Sequence, residues 1–267
     1  MSVKSFLLAA VCFGLSVLAK SQDFEVAPVL MSFNANPGEI QSQKITVRNH
    51  SNFRQKFVFN LSDYDIDEKG TKKSLPLGTS KNSCAEWITV NPSFVELNPN
   101  ESFEVNVNMV VPADGYSTRW CMVQVQTAKE QEGFEADRDL ATGVVIVPRI
   151  VVLIKQSPRS NKNYRAKVTG IEELKTAKSS FKSFKVTVQN TGDKIIEGKV
   201  YLAVANIETG EEQKFNPESV TVYPGYARSM ELSLPVKLSP GKYALAALLD
   251  YGNRMPIEGT QLLLDIK

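Results

Sequence analysis

The sequence predicts an all-β protein made of two antiparallel β-sandwich domains in series. Apolar and polar residues alternate with a period of two in short segments such as Phe57 to Leu61 and Val105 to Val111. This alternation is typical of strands with one buried face. Turn-forming residues such as Tyr223-Pro224-Gly225 separate the strands, and sandwiches are built from strands punctuated in this way. No segment keeps an apolar period of 3.6 residues, so we expect helices to be short or absent.

An internal repeat gives the number of domains. Strand and turn motifs of the first half of the chain return in the same order in the second half, with offsets that shrink along the chain. Longer loops in the first half account for this drift. The matching pairs are Ile45 to Asn49 with Val186 to Asn190, Phe94 to Pro99 with Val220 to Pro224, and Tyr116 to Gln126 with Lys242 to Tyr251.

The first 21 residues have the pattern of a signal peptide. Lys4 gives a positive start, an apolar run extends from Phe6 to Leu18, and small residues follow it. The run is too short to span a bilayer comfortably. We therefore predict that residues 1–21 are removed and that the protein is exported to the periplasm without a membrane span. Lipidation at Cys12 is the alternative, but Val11 is too bulky for the usual cleavage site.

The net charge argues against a nucleic-acid partner. Loss of Lys4 and Lys20 with the signal peptide leaves as many basic residues as the 29 acidic ones. Nucleic-acid-binding domains usually carry a basic stripe. The mature chain is formally neutral and has no such stripe.

The mature chain is long enough for two domains that each bury a core. The polar stretch Gln156 to Asn163 follows the most apolar strand and precedes a new strand pattern. We predict one domain over residues 22–156 and a second over residues 157–267. Within the first domain, Asp63 to Ser83 and Lys129 to Thr142 are rich in charged residues and predict long loops.

Two cysteines, Cys84 and Cys121, remain after signal-peptide removal. An even pair in an exported protein predicts a disulfide bond. In the chain-entropy model this bond would stabilise the first domain by roughly 3–4 kcal/mol. A pair of buried thiols is the alternative. Neither state is catalytic, because no CxxC spacing and no neighbouring histidine is present.

Residue types of catalytic and metal sites are sparse. His50 is the only histidine, and it lacks the second ligand or base that zinc binding or nucleophilic catalysis requires. No nucleophile-elbow, zincin or phosphate-loop spacing occurs. The acidic cluster Asp63, Asp65, Asp67 and Glu68 leaves a calcium site as an alternative, although its order does not fit an EF-hand. We expect no enzymatic activity, no cofactor and no metal.

The longest apolar segment, Gly143 to Ile154, is the predicted last strand of the first domain. One explanation is a strand buried at the domain junction. The other is an edge strand that pairs with an incoming segment of a partner protein. Pro148 favours an edge or a bulge, because proline lacks the N–H that a central strand donates. A long apolar edge is also an aggregation hazard unless something covers it.

Both domains contain a series of motifs in a characteristic order. They are Pro37-Gly38-Glu39, Lys44 to Asn49, Trp87 to Pro92, Val95 to Pro99 and Val144 to Ile154 in the first domain, and Asn190 to Asp193, Tyr223 to Gly225 and Leu249 to Gly252 in the second. The motifs of the first domain resemble those of periplasmic pilus chaperones, the PapD-like superfamily, and the second domain resembles two-domain chaperone-like proteins of Bacteroidota. The resemblance implies that both domains are immunoglobulin-like.

The resemblance also implies a binding mechanism. In pilus chaperones the last strand of the first domain lends alternate hydrophobic residues to an incomplete subunit sheet, and two basic residues between the domains hold the subunit's terminal carboxylate. By position, the lending face is Val144, Ile146, Ile150 and Val152. Arg149 is the candidate anchor for the carboxylate, or alternatively a charge on the solvent or junction face.

One departure weakens the carboxylate anchor. The second basic residue should lie on the first strand, yet Phe24 through Ile40 contains no lysine or arginine. The strand-lending mechanism is independent of this residue.

Our leading hypothesis is a non-enzymatic periplasmic chaperone-like protein that binds a fimbrial or cell-surface subunit by strand pairing. The alternative is a structural or adhesive module whose domains act as spacers in a cell-envelope assembly. A carbohydrate-binding sandwich has less support, because Trp87 and Trp120 are the only tryptophans and both stand in core-like contexts.

Overall fold

The computed structural model describes residues 23–128, 147–174, 181–235, 237–252 and 254–267. Within these ranges the chain is built from strands, with a single 3-10 turn at Ala85–Trp87 and no α-helix. None of the described segments forms a helix with the length and apolar character that crossing a bilayer requires.

The described part of domain one contains ten strands that form two facing sheets. One sheet has the order β1-β3-β8-β6, and the other has the order β2-β10-β9-β4-β5, with β7 also paired to β4. The strands are β1 (Phe24–Ala27), β2 (Leu30–Phe33), β3 (Ile40–Asn49), β4 (Gln55–Ile66), β5 (Lys72–Leu75), β6 (Ile88–Asn91), β7 (Phe94–Leu97), β8 (Ser102–Val110), β9 (Arg119–Thr127) and β10 (Arg149–Gln156).

Domain two repeats this plan with eight described strands. One sheet has the order β11-β12-β16, and the other has the order β14-β13-β17-β18, with β15 also paired to β13. The strands are β11 (Ala166–Leu174), β12 (Ser183–Asn190), β13 (Ile196–Asn206), β14 (Glu212–Lys214), β15 (Glu218–Val222), β16 (Ala227–Ser233), β17 (Gly241–Asp250) and β18 (Glu258–Ile266). The chain is therefore all-β, with two tandem immunoglobulin-like sandwiches, and this part of the prediction is confirmed.

Each domain has its own hydrophobic core between its two sheets. Inward-facing residues of alternating strands build it, such as Ile45 and Val107 in domain one and Val186 and Leu245 in domain two, all without solvent exposure. Burying alternate residues of every strand is the main stabilising contribution in a sandwich. β10 ends at Gln156, and the domain boundary predicted after this residue stays a prediction.

One predicted loop is wrong in part. The segment from Asp63 to Ser83 was expected to be a loop, but its first four residues continue β4, and β5 pairs back on them from Lys72 to Leu75. The charges and small residues that suggested a loop occupy the exposed hairpin and its turn. The other predicted loop, Lys129 to Thr142, lies outside the described residues.

Candidate functional site

The last strand of domain one has an open edge along its first half. β10 pairs with β9 in antiparallel fashion over its whole length, from Arg149 to Gln156. On its other side β10 pairs with β2 in parallel, and only from Leu153 onward. Within the described ranges, no strand pairs with residues 149–152 on the β2 side. This half of β10 is therefore available for strand addition.

The direction of the backbone groups follows from the ladder. The N–H of Leu153 donates to the carbonyl of Val29 at 2.9 Å, on the β2 side. Because the backbone groups of every second residue point to the same side of a strand, those of Val151 and Arg149 face the open side. Each residue carries one donor and one acceptor, so the open edge offers four backbone groups to an incoming strand.

The side chains predicted to form the lending face lie in two regions. Val144 and Ile146 lie outside the described residues. Val152 is fully buried in the core of domain one, and Ile150 packs partly against the same core. At these two positions the side chains face the core and the backbone groups face β9, so neither residue contributes to the open edge.

The two cysteines lie side by side in the core of domain one. The Sγ atoms of Cys84 and Cys121 are 3.5 Å apart, and both residues are buried as free thiols. The contact with the Cys84 thiol, together with burial, raises the pKa of Cys121 well above its ordinary value. A buried thiol with a raised pKa is a poor nucleophile, so the pair is structural. The disulfide bond between them stays a prediction.

An aromatic cluster packs the two domains against each other. Trp120 and Tyr64, both without solvent exposure, lie on the outer face of the β10-containing sheet and contact Tyr223 of domain two. The ring centroids of Trp120 and Tyr223 are 4.9 Å apart at 76°, and those of Trp120 and Tyr226 are 5.9 Å apart at 67°. Edge-to-face pairs of this kind add to the stabilisation from burial alone.

The turn between β4 and β5 extends this contact onto domain two. The N–H of Ser229 in β16 donates to the carbonyl of Glu68 at 2.8 Å. The hydroxyl of Tyr226 donates to Asp65 Oδ1 at 2.5 Å. The β4–β5 hairpin of domain one therefore covers part of the edge of β16.

A groove of about 270 Å³ lies between the hairpin, β10 and domain two. Three cationic side chains line it: Lys72 of β5, Lys155 of β10 and Arg228 of β16. Lys155 Nζ lies 3.2 Å from Glu197 Oε1 and 5.8 Å from the ring centroid of Tyr223. Desolvation of its amino group, followed by repulsion from Lys155 and Arg228, lowers the pKa of Lys72. The groove is thus a concentration of positive charge at the domain junction.

Arg149, the predicted carboxylate anchor, is not part of this groove. It begins β10, whereas Lys155 lies near the other end of the strand, which faces domain two. Arg149 is exposed, and its Nε donates to Gln126 Oε1 at 3.1 Å. Its position matches the solvent-facing alternative.

Two carboxylates of the acidic cluster, those of Asp63 and Asp67, accept hydrogen bonds within domain one. Asp63 is fully buried and accepts from the backbone N–H groups of Thr79 and Ser80. Asp67 accepts from the N–H of Thr71 inside the hairpin turn. Across the described ranges, no three His, Cys, Asp or Glu side chains are grouped to hold a metal ion. The calcium alternative therefore has no geometric support.

The groove and the aromatic cluster were not predicted from the sequence. Lys155 directly follows the apolar segment Gly143 to Ile154, and Lys72 and Arg228 are distant from it in sequence. The sequence of β9 could have predicted the aromatic cluster, because Trp120 and Met122 make this strand apolar on its outer face as well as on its core face. A strand in an antiparallel sheet with two apolar faces indicates that something covers its outer face.

Comparisons with known proteins support the fold described above. No protein-family model and no curated protein matches the chain. A chain from the solved chaperone–tip adhesin complex of CFA/I fimbriae biogenesis matches with a TM-score of 0.51 and 12% identity, over 91% of this chain and 98% of that one. The class 5 fimbriae chaperone CfaA matches with a TM-score of 0.48 and 13% identity, over 90% and 98%. The chain has the two-domain immunoglobulin-like fold of PapD-like fimbrial chaperones.

Proposed function

We propose that this protein is a chaperone-like binder of a fimbrial or cell-surface subunit, which it holds by β-strand pairing along the last strand of domain one. The observation that supports this most is the open edge of β10 at residues 149–152. Main-chain pairing supplies affinity in β-augmentation, and side chains at alternate positions supply specificity. The binding segment comprises Val144, Ile146, Arg149, Ile150 and Val152.

The partner class and location come from the resemblance and the shared fold. The solved complex to which the chain is similar contains a tip adhesin, and a protein subunit of this kind is the partner we propose. Residues 1–21 act as the signal peptide, and the periplasm is the compartment where such a subunit is met.

Within this function, the groove cations provide the anchor for a terminal carboxylate. Lys155 lies on the same strand as the open edge, and a partner segment that leaves the edge where β2 begins to pair, at Leu153, reaches the groove. Lys72 and Arg228 take the place of the basic residue that the first strand lacks. Charge-assisted hydrogen bonds from lysine and arginine to carboxylates are stronger than neutral ones.

A substitution on the lending face tests the proposal. The double variant Val144→Thr, Ile146→Thr keeps β-branched side chains and strand propensity. Co-expressed with a pilin-like subunit that binds the natural protein, it should no longer co-purify that subunit. The matched control is Ile40→Thr, Val110→Thr, because these residues form an exposed cross-strand pair in the opposite sheet. Unchanged subunit recovery in the first variant, with the fold intact, would reject strand lending.

A non-catalytic structural or adhesive module is the second candidate. The aromatic cluster and the hairpin contact favour it, because they pack the two domains into a rigid spacer. A spacer would keep its assembly partners in the threonine variant, whereas a strand-lending chaperone would lose them.

A further inference from the structure

The outer face of the larger sheet of domain two is apolar. Successive side chains of a strand point to opposite faces of its sheet, and Val204 of β13 and Leu245 of β17 belong to the core. The residues between them therefore point outward. On these two neighbouring strands they are Tyr201, Ala203 and Ala205 of β13 and Ala244, Ala246 and Leu248 of β17. We call these six residues the alanine face.

The edge strand β18 extends the alanine face. In its ladder with β17, Leu263 pairs with Ala244 and Gly259 pairs with Leu248. Leu263 is 74% exposed, which is the highest value among the large hydrophobic residues of the described ranges. A contiguous apolar patch of several hundred Å² is rare on a monomer and marks an interaction site. We therefore expect another protein surface to cover this face.

Strand geometry sets the size of the interface that this face can form. From Lys242 to Asp250 the face is about 27 Å long, and the four strands from β14 to β18 make it about 19 Å wide, its polar rim included. Two such faces packed together cover about 1,000 Å² in total, which is the lower limit for a specific interface. We therefore expect a weak and reversible association.

The face is complementary in shape to a second copy of itself. A suitable two-fold axis lies between the two copies, perpendicular to the strands and level with Ala203 and Ala246. Packed sheets keep their strands within about 30° of each other, and a two-fold axis brings the same patch of both copies together. Each large residue then meets a small one. The three pairs are Tyr201 with Ala205, Leu248 with Ala244, and Leu263 with Gly259 of the second copy.

The charges at the two ends of β17 follow the same symmetry. Lys242 and Asp250 are exposed on the outer side of β17, four residues before and four residues after Ala246. The same axis places Lys242 of each copy opposite Asp250 of the other. Within the described part of the chain, neither side chain belongs to an ion pair. Complementary charges of this kind select one relative orientation of two surfaces.

A two-fold axis parallel to the strands fits the face less well. It would place Leu248 opposite Tyr201, so that two large residues meet at one end and two alanines face each other at the other end. The resulting gap would lose the close packing that protein interfaces share with protein interiors. This arrangement would also place Asp250 opposite Lys199, which allows an experiment to distinguish the two axes.

We propose that the protein forms a weak two-fold dimer in which the alanine face of one copy packs against that of a second copy. The occupant is a second copy because both the large-to-small pairs and the charge pairs arise from this face alone. The inference goes beyond the proposed function and does not involve the open edge of β10.

Sedimentation equilibrium of residues 22–267 measures the association. The natural protein should dimerise with a Kd above about 1 µM, as expected for an interface of this size. Leu263→Ser should weaken the dimer at least about tenfold, because it removes one buried leucine from each copy. Val110→Ser is the matched control, since Val110 is an exposed apolar residue of domain one and should leave the Kd unchanged.

Charge reversal tests the orientation. Homodimers of Lys242→Asp or of Asp250→Lys contain two like-charge pairs, so each Kd should rise about tenfold. An equimolar mixture of these two variants restores opposite charges at both sites, and its average mass should return close to that of the natural protein. Thermal unfolding checks each fold, since Asp250 Oδ1 also accepts from the Gly252 N–H at 3.0 Å. Recovery only on mixing Asp250→Lys with Lys199→Asp would contradict the proposed axis.

Two outcomes would overturn the inference. One is a monomer at every concentration up to about 1 mM, where even a weak specific dimer is populated. The other is a dimer that Leu263→Ser leaves intact and Val151→Pro abolishes, which would place self-association at the edge of β10. Neither measurement uses a subunit, so a failure here is distinguishable from a failure of strand pairing with a subunit.

Discussion

Asn49 and Asn190 occupy the same position in the two domains and make the same three kinds of hydrogen bond. The Nδ2 of Asn49 donates to the carbonyls of Phe53 and Leu97, and that of Asn190 donates to those of Lys194 and Val222. Their Oδ1 atoms accept from the N–H two residues later, at Ser51 and Gly192.

These N–H contacts measure 3.0 and 2.9 Å, and both asparagines are buried. The Asn49 and Asn190 carbonyls also accept from the N–H groups of Asn100 and Gly225. The internal repeat of the sequence thus includes one repeated arrangement of hydrogen bonds, in which a buried asparagine at the end of a strand binds the chain segments beside it.

Removing either asparagine should destabilise its domain. Asn49→Ala and Asn190→Ala each leave buried backbone carbonyls without their donors, which costs about 2–3 kcal/mol. Urea unfolding measures the change. Asn60→Ala is the control, because Asn60 is exposed on β4 and should change stability by less than about 0.5 kcal/mol. A cost below that limit at both buried positions would mean that water replaces the asparagine.

Gly70→Ala should loosen the contact between the domains. Gly70 has φ +76°, and an added β-carbon would meet the guanidinium of Arg228 at 2.8 Å. Gly78→Ala is the matched control, since Gly78 has φ +79° but no atom within 4 Å of an added β-carbon.

Both glycine variants should lose about 1–2 kcal/mol from left-handed backbone strain, but only Gly70→Ala should speed hydrogen exchange at Ser229. Equal exchange in the two variants would show that the hairpin turn does not hold Arg228.

Oxidation of Cys84 and Cys121 should stabilise domain one. The thiols are already in contact, so closing the bond needs little rearrangement. In the chain-entropy model the gain is roughly 3–4 kcal/mol. Mass spectrometry of protein alkylated without reduction, with unfolding measured in the presence and absence of reductant, checks this. Full alkylation of both cysteines in periplasmic protein would instead establish the buried-thiol alternative.

Stability should fall at alkaline pH, in part through Tyr226. Burial, together with the hydrogen bond donated to Asp65, raises the pKa of Tyr226 to about 12. Its ordinary pKa is about 10. Between these values the unfolded state loses the proton and the folded state keeps it, so the free energy of unfolding decreases as pH rises. Below pH 10 Tyr226 is protonated in both the folded and the unfolded state, so it contributes no pH dependence to the free energy of unfolding.

The comparison is with Tyr226→Phe, which removes the titrating hydroxyl. Its free energy of unfolding, measured by chemical denaturation, should fall less steeply from pH 10 to pH 12 than that of the natural protein. An identical slope would show that Tyr226 titrates alike in both states.

The sequence predicted much of the fold but little of the groove. Period-two alternation and turn residues follow from local geometry, so the two sandwiches and their repeat could be read from segments such as Val105 to Val110. Contacts between the domains depend on residues far apart in the chain, such as Glu68 and Ser229. No local pattern encodes such contacts. The loop prediction at Asp63 was wrong for a related reason. The sequence does not distinguish a buried aspartate, whose carboxylate accepts backbone N–H groups, from an aspartate exposed in a loop.

Removal of the Val151 N–H tests most directly whether a partner strand pairs with the open edge of β10. Val151→Pro removes this N–H, which faces the open side, and edge strands tolerate proline. Val151→Thr keeps the N–H and the shape of the side chain. Isothermal titration with the pilin-like subunit measures both variants.

Strand pairing predicts that Val151→Pro weakens binding at least about tenfold, through the lost hydrogen bond and displacement of its neighbours, while Val151→Thr binds as the natural protein does. Equal affinity in both variants, with both folded, would contradict the account.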